Sequence, residues 1–128
     1  MGKILAVDDV AETLVILRKT IGILGHEVQT VSDAHKALEL IEQQPFDLIF
    51  LDIMMPKIDG LELCRRIRMG EKNKNARVVV FSAKSDRELV EIARRFGADY
   101  YLGKPATIAK IQEVIERMIG KPASPPPR

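Results

Sequence analysis

Short apolar runs alternate with longer amphipathic runs five times along the chain, and this alternation constrains the fold more than any other feature. The apolar runs have the length of strands and predict β1 to β5 at residues 4–7, 27–31, 47–51, 77–81 and 98–102. The amphipathic runs carry apolar residues at helical spacing and predict α1 to α5 at residues 10–24, 33–43, 60–69, 85–96 and 107–119. Such a repeat is typical of a parallel sheet covered by helices on both faces, so we predict an α/β fold.

Local signals add detail to this pattern. Polar Gln29 and Thr30 within β2 predict a strand at the edge of the sheet. Ser85 and Glu88 have the spacing of a capping box, which predicts that Ser85 caps α4. The apolar residues expected to share one face of α5 are Ile108, Ile111, Ile115 and Ile119.

Composition narrows the classes of function. The 128 residues fit one domain, and the formal net charge of +2 gives no reason to expect nucleic-acid or membrane binding. The single cysteine, Cys64, excludes an intrachain disulfide or a thiolate metal site and is typical of a reducing compartment. The N-terminal apolar run is too short for a signal peptide or a membrane span, so we expect a cytoplasmic protein. Residues 120–128 are rich in proline and are expected to form a tail or linker.

Residues able to carry chemistry follow four of the five predicted strands. They are Asp8 and Asp9 after β1, Asp52 after β3, Ser82 after β4, and Lys104 with Pro105 after β5. Sites in open parallel α/β sheets form beyond the carboxyl ends of the strands. If β1 and β3 are neighbours, three carboxylates meet there and require a cation, and oxygen ligands suit a hard divalent ion such as Mg²⁺. A hydroxyl and a lysine from the other strands would complete a site for a phosphoryl group.

Each of these residues has an ordinary alternative when it is taken alone. An aspartate after a strand is most often a helix cap or a turn former, and a lone lysine is most often solvated on the surface. The joint pattern of acid, acid, hydroxyl and lysine at successive strand ends favours a site.

The same residues carry a resemblance to a known family. The segments VDD at 7–9 and LDIMMPKIDG at 51–60, with the pairs Ser82–Ala83 and Lys104–Pro105, resemble the receiver domain of bacterial two-component response regulators, of the chemotaxis response regulator type. The resemblance covers residues 3–119. It implies a flavodoxin-like, doubly wound fold, in which a five-stranded parallel sheet of order 2-1-3-4-5 carries five helices on its two faces.

For the acidic residues, the resemblance implies a phosphorylation site. Asp52 would be the carboxylate that attacks phosphorus and becomes an aspartyl phosphate. Asp8, Asp9, Asp52 and the backbone carbonyl of Met54 would bind Mg²⁺, and Mn²⁺ could take its place.

For the remaining residues, the resemblance implies positioning and switching. Ser82 and Lys104 would contact the phosphoryl oxygens, and a cis peptide bond between Lys104 and Pro105 would aim the lysine inward. Tyr101 would be the aromatic side chain whose rotamer reports phosphorylation together with Ser82. Gly60 would let the preceding loop turn into α3.

The implied function is a phosphoacceptor signalling switch rather than an enzyme with a turnover substrate. A sensor histidine kinase or a phosphotransfer protein would supply the phosphoryl group, and the α4–β5–α5 face would relay the state to an output domain or a downstream protein. The resemblance is compatible with a monomer or a phosphorylation-dependent dimer. Tyr100 stands where many relatives carry an acid, which weakens the expectation of a salt-bridged dimer through that face.

Other functions fit the residues less well. A phosphatase of the haloacid dehalogenase type needs an acid two residues beyond its nucleophile, and Met54 stands two residues beyond Asp52. A flavin or nucleotide binder would carry a GxGxxG loop in the first βα turn or a GxxxxGK[ST] loop, which the sequence lacks. The two histidines, His26 and His35, are expected on the surface rather than as phosphohistidine donors. A scaffold without phosphorylation would not need the full set of site residues.

Overall fold

A computed structural model describes residues 2–54, 59–84 and 86–120. Its strands are β1 (Lys3–Val7), β2 (Glu27–Val31), β3 (Leu48–Leu51), β4 (Arg77–Ser82) and β5 (Tyr100–Gly103). Its helices are α1 (Ala11–Ile23), α2 (Ala34–Gln43), α3 (Gly60–Met69), α4 (Arg87–Arg95) and α5 (Ile108–Ile119). All neighbouring strands pair in parallel, in the order β2-β1-β3-β4-β5, which confirms the predicted α/β fold and places β2 at an edge.

The sheet separates two apolar cores, because alternate residues of its central strands point to opposite faces. On one face, Ile4 and Phe50 pack with buried residues of α1 and α5. On the other face, Leu5 and Ile49 pack with buried residues of α2, α3 and α4. The central strands β1, β3 and β4 are therefore buried on both sides, as their continuous apolar sequences predict.

Strand register places the candidate residues at one edge. Val7 pairs with Leu51, so the aspartates that follow β1 and β3 emerge side by side. The Asp52 N–H continues the ladder by donating to the Val7 carbonyl at 3.0 Å. The Lys104 N–H donates to the Ser82 carbonyl at 2.8 Å, which aligns the ends of β4 and β5 in the same way.

Two element boundaries, the starts of α4 and β5, differ from the sequence expectation by two residues, and the others differ by one residue or none. Asp86 rather than Ser85 is the N-cap of α4, since its carboxylate accepts from the Leu89 N–H at 2.8 Å. Ser85 itself lies outside the described residues. Strand β5 begins at Tyr100 rather than at residue 98.

The buried stripe of α5 is narrower than expected. It consists of Ile111, Val114 and Ile115, which lie three and four residues apart. Ile108 lies to one side of this stripe and is 61% exposed.

His26 is buried, so its expected surface position was wrong, whereas His35 is exposed as expected. The Glu27 N–H donates to the Gly2 carbonyl, and this contact brings the N-terminal segment across the turn that contains His26. The Gly2 N–H then donates to His26 Nδ1 at 2.9 Å. Burial lowers the pKa of His26, so the neutral ring is favoured.

Across the described residues, no helix has the length and apolar character that crossing a membrane requires.

Candidate functional site

The structure brings three carboxylates together at the carboxyl ends of β1 and β3. One oxygen from each of Asp8, Asp9 and Asp52 lies within 4.8 Å of the others. Asp8 and Asp52 are buried and Asp9 is exposed, so the cluster has a closed side and an open side. The adjacent register of β1 and β3 produces this arrangement directly.

Asp8 is held through both of its oxygens. Its Oδ1 accepts from the Val10 N–H at 2.9 Å, and its Oδ2 accepts from Lys104 Nζ at 2.7 Å. Burial raises the pKa of Asp8, and this effect outweighs the lowering by Lys104 and by the Val10 amide. A nearby cation such as the Lys104 ammonium therefore favours the charged form of Asp8.

Asp52 is held less tightly by the lysine. Its Oδ1 accepts from the Met54 N–H at 2.9 Å, which fixes the orientation of the carboxylate. Its Oδ2 lies 3.3 Å from Lys104 Nζ, a longer contact than the lysine makes with Asp8. Asp52 thus combines a fixed orientation with one weakly engaged oxygen.

Lys104 enters the site from the end of β5. The peptide bond between Lys104 and Pro105 is cis, and the ammonium lies 5.5 Å from the centre of the Phe81 ring. Burial acts to lower the pKa of Lys104, but the hydrogen bond to Asp8 and the charges of Asp8 and Asp52 outweigh it, so the pKa is raised. The lysine is consequently a permanent positive charge at this edge.

Ser82 and Tyr101 are joined through the loop that follows β4. Ser82 is fully buried, and its Oγ accepts from the Lys84 N–H at 3.3 Å. The Tyr101 hydroxyl donates to the Lys84 carbonyl. Burial raises the pKa of Tyr101, so its hydroxyl remains a donor at neutral pH. The loop backbone at Lys84 therefore connects the serine to the tyrosine.

Met54 and Gly60 lie beside the carboxylate cluster. The Met54 side chain is half exposed, and its backbone N–H donates to Asp52 Oδ1. A Cβ at Gly60 would lie 2.6 Å from the Asp52 carbonyl, so α3 begins directly against the backbone of the site. Residues 55–58, between these two positions, lie outside the described part of the chain.

Two contributors were missed by the sequence analysis. Phe81 lies under the Lys104 ammonium, and the Val10 amide fixes Asp8. The position of Phe81 one residue before Ser82 could have indicated a role beside the site. The Val10 amide carries no side-chain signal, because any residue except proline supplies the same N–H.

The cluster fits a hard divalent cation. The three carboxylates carry three negative formal charges and Lys104 carries one positive charge, so two negative charges are left unbalanced. The carboxylate oxygens lie close enough together to share one ion. Oxygen ligands of this kind, open on one side to water, are those that Mg²⁺ uses in proteins.

Comparisons with known proteins agree with this geometry. Residues 4–116 match the response regulator receiver domain family. The chain is 32% identical over 119 residues to the probable chemotaxis protein CheY of Rhizobium etli, covering 92% of each chain. It is 31% identical over 117 residues to the regulatory protein PhoP of Bacillus subtilis, covering 91% of this chain and 48% of that protein. The chain thus spans about half the length of the transcriptional regulators that it matches.

Solved structures show the same architecture. The chemotaxis response regulator CheY4 of Vibrio cholerae superposes with a TM-score of 0.88 at 28% identity, covering 92% of this chain and 98% of that one. The receiver domain of the sensor histidine kinase PA1611 of Pseudomonas aeruginosa gives a TM-score of 0.85 at 28% identity, covering 94% and 98%. In that structure a magnesium ion is coordinated in the active-site cleft. The chain therefore belongs to the receiver domain family of response regulators, the phosphoacceptor switches of two-component signalling.

Proposed function

We propose that Asp52 is the residue of this receiver domain that accepts the phosphoryl group. The observation that supports this proposal is the placement of Asp52 beside both a cation and two further carboxylates. Its carboxylate lies 3.3 Å from Lys104 Nζ and within 4.8 Å of the carboxylates of Asp8 and Asp9. Asp9 is more exposed, and Asp8 is bound more tightly to the lysine, so neither is as well placed for attack.

The reaction follows from the positions of these groups. A carboxylate oxygen of Asp52 attacks the phosphorus of a phosphohistidine, the P–O bond forms as the P–N bond breaks, and the histidine nitrogen leaves with the electron pair. Negative charge spreads over the phosphoryl oxygens during this transfer. Lys104, released from part of its contact with Asp52, can pair with one of these oxygens, and the Ser82 hydroxyl can donate to another.

The transfer is proposed to depend on Mg²⁺. Asp8, Asp9, Asp52 and the Met54 backbone carbonyl would hold the ion, which supplies positive charge to the phosphoryl oxygens when it is bound. Mn²⁺ also prefers oxygen ligands and could bind to the same residues.

The contacts of Tyr101 support a switch toward the α4–β5–α5 face. Phosphorylation adds oxygens that Ser82 can contact. Movement of Ser82 toward them would displace Lys84, because the Lys84 backbone is hydrogen-bonded to both Ser82 and Tyr101. Tyr101 must then change its position or its hydrogen bond. A partner that binds one arrangement better than the other shifts the population toward it.

The proposed setting is a cytoplasmic phosphorelay. Receiver domains interact with histidine kinases or phosphotransfer proteins, and such a protein would donate the phosphoryl group here. Residues 3–119 would form the receiver domain. Residues 120–128 would be a tail, or a linker to an output domain. We propose a monomer, or a dimer that forms on phosphorylation, without direct binding to nucleic acid.

The domain is proposed to act as a switch without turnover of a substrate pool. Met54 stands two residues beyond Asp52 and cannot protonate a leaving group or activate water through its thioether side chain. Met54 and Lys84 would flank the path of attacking water and tune the loss of the phosphoryl group.

Intact mass spectrometry tests the assignment. The protein is incubated with a small phosphodonor such as phosphoramidate, with Mg²⁺ or with a chelator. We expect one added phosphoryl group in Mg²⁺ and far less in chelator. Asp52→Asn should abolish the addition, whereas Asp33→Asn should not, because asparagine caps the start of α2 as aspartate does. Unchanged phosphorylation of the Asp52→Asn variant would contradict the assignment.

A further inference from the structure

A charged cavity lies at the amino ends of the strands, at the opposite end of the sheet from the carboxylate cluster. It occupies about 380 Å³ at the amino ends of β4 and β5, where the ends of α3 and α4 meet them. Its polar lining comprises Arg68, Lys74, Asn75, Arg77, Arg94 and Asp99. These residues play no part in the proposed phosphorylation site.

Arg68 and Asp99 line this cavity and are held by hydrogen bonds to other protein groups. The Arg68 guanidinium donates to the carbonyls of Gly97, Lys74 and Ala76 and to the Asp99 carboxylate. Asp99 also accepts from the Val78 N–H at 2.9 Å. The one carboxylate of the cavity is therefore already committed to protein groups.

The other cationic side chains of the cavity make fewer contacts with protein groups than Arg68 does. Among the described residues, the Lys74 ammonium has no hydrogen-bond or ion-pair partner. The Arg77 guanidinium makes one ion pair, with Asp99 at 3.5 Å, and its side chain is 56% exposed. Arg94 pairs with Glu91 on the outer surface of α4. The cavity thus gathers four cations against one carboxylate and leaves donors of Lys74 and Arg77 unused.

We propose that this cavity is a binding site for a multiply charged phosphate anion, of the size of pyrophosphate or the phosphate tail of a nucleotide. Its volume is that of a small-molecule site. Its cations come from α3, from the loop before β4, from β4 and from α4, so residues distant in sequence line one concavity. The planar fork of Arg77 can contact two phosphate oxygens at once, and the Lys74 ammonium adds a point charge beside it.

A direct titration tests the site in isolation from the carboxylate cluster. Inorganic pyrophosphate is added to the ¹⁵N-labelled protein at about 0.15 M salt, where contacts between well-separated surface charges are screened. A chelator is present so that no metal links the anion to the acidic residues. We expect saturable shifts of the backbone amides at Lys74, Arg77, Gly97 and Asp99. Absence of saturation at millimolar pyrophosphate, or shifts spread over all surface cations, would overturn the proposal.

Paired variants separate a built site from general attraction. The double variant Lys74→Gln/Arg77→Gln should weaken binding by at least about tenfold, since two charge-assisted contacts are lost. The control Lys19→Gln/Lys36→Gln removes the same charge from exposed positions on α1 and α2 and should leave the affinity within about twofold. Equal losses in the two double variants would reduce the cavity to general electrostatic attraction.

Two further measurements distinguish a phosphate site from a site for an acidic peptide and from the phosphorylation site. A glutamate-rich peptide of equal net charge should bind more weakly than pyrophosphate; tighter binding of the peptide would reassign the surface to an acidic protein segment. Phosphorylation of Asp52 should proceed normally in the Lys74→Gln/Arg77→Gln variant, which separates failure of this site from failure of the proposed function. Thermal unfolding of the variant checks that the fold is intact.

Discussion

Lys104 is the residue on which the charge balance of the acidic edge depends. Its ammonium lies 2.7 Å from Asp8 and 3.3 Å from Asp52, and its side chain is only 17% exposed. Removing one partner from a buried charged group leaves the other charges uncompensated. The lysine therefore stabilises the metal-free domain, in addition to the contact with the phosphoryl group that we propose for it.

Replacing Lys104 by methionine should destabilise the protein by about 2 kcal/mol in chelator, less than for a fully buried pair because the site is partly open. The apparent loss should shrink in Mg²⁺, since the ion can neutralise Asp8 and Asp52 in place of the lysine. Urea unfolding of both proteins, with and without Mg²⁺, measures these differences. The exposed Lys36→Met serves as the control. A loss of stability that is the same in chelator and in saturating Mg²⁺ would argue against this balance.

At the residue scale, the sequence predicted which side chains would meet but not how each would be held. Asp8, Asp9 and Asp52 could be placed together because the ends of parallel strands share an edge. The burial of His26 could not be predicted, because it depends on Gly2 crossing the turn from elsewhere in the chain. The contact between Lys104 and Phe81 likewise depends on side-chain packing across two strands.

At the element scale, the start of α3 is fixed by the absence of a side chain at Gly60. A Cβ there would contact the Ile53 Cα and would lie 2.6 Å from the Asp52 carbonyl oxygen. Both neighbours are backbone atoms, which cannot rotate away. The helix can therefore begin beside the site only with glycine at this position.

Gly60→Ala should destabilise the domain by about 2 kcal/mol, as overpacking does, and should slow phosphorylation of Asp52 by shifting its backbone. Gly22→Ala is the matched control, because among the described residues nothing beyond its chain neighbours and the backbone of α1 lies within 4 Å of its Cβ position. That change should stabilise the helix by about 0.5 kcal/mol. Thermal unfolding and the rate of phosphorylation measure both effects. Wild-type behaviour of Gly60→Ala would show that the backbone beside Asp52 can yield.

Arg68 joins three elements near the amino edge of the sheet. Arg68 lies at the end of α3, and its guanidinium donates hydrogen bonds to carbonyl oxygens in the loop before β4 and in the turn between α4 and β5. A Cβ at Gly97 would lie 2.7 Å from the Arg68 Cγ, so the turn packs directly on this side chain. Arg68 thereby fixes the C-terminal end of α4.

Arg68→Ala should cost about 3 kcal/mol of unfolding free energy, because several charge-assisted hydrogen bonds to carbonyl oxygens are lost. Arg66→Ala removes a neighbouring arginine whose ion-pair partner among the described residues is Glu62 on the surface, and it should cost less than about 0.5 kcal/mol. Chemical unfolding of the two variants distinguishes them. Similar small losses for both would show that the carbonyls at the amino edge are satisfied by water once Arg68 is gone.

The boundaries of α4 show where element prediction reaches its limit. Ser85 and Asp86 are adjacent and both are good capping residues, so spacing alone could not decide between them. Asp86 caps because its carboxylate reaches the Leu89 N–H. The strand β5 starts later than its sequence suggests, since Asp99 uses its carboxylate to bind Arg68 and the Val78 N–H.

Two clusters of opposite charge lie at opposite ends of the strands of one sheet. The carboxyl edge gathers Asp8, Asp9 and Asp52 around one lysine, and the amino edge of β4 and β5 gathers four cations around Asp99. The formal net charge of +2 averages these two regions and reveals neither. The positions of the strand ends separate them.

The overall fold was more predictable than the second charged region. Five alternating strand and helix segments allow few arrangements, because crossovers between parallel strands are right-handed. The acidic edge could also be predicted, since its residues follow the strands directly. The basic cavity could not, because Arg68, Lys74, Arg77 and Arg94 come from separate segments and carry no local pattern.

Mapping the phosphorylated residue in the native chain decides whether Asp52 is the phosphoacceptor. The protein is phosphorylated in Mg²⁺, reduced with borohydride so that an aspartyl phosphate becomes homoserine, and sequenced as peptides by mass spectrometry. We predict homoserine at position 52 and nowhere else, with none in the sample that received no phosphodonor. Homoserine at position 8 or 9, or a stable phosphate on a serine, threonine or histidine in place of an acyl phosphate, would contradict Asp52 as the phosphoacceptor.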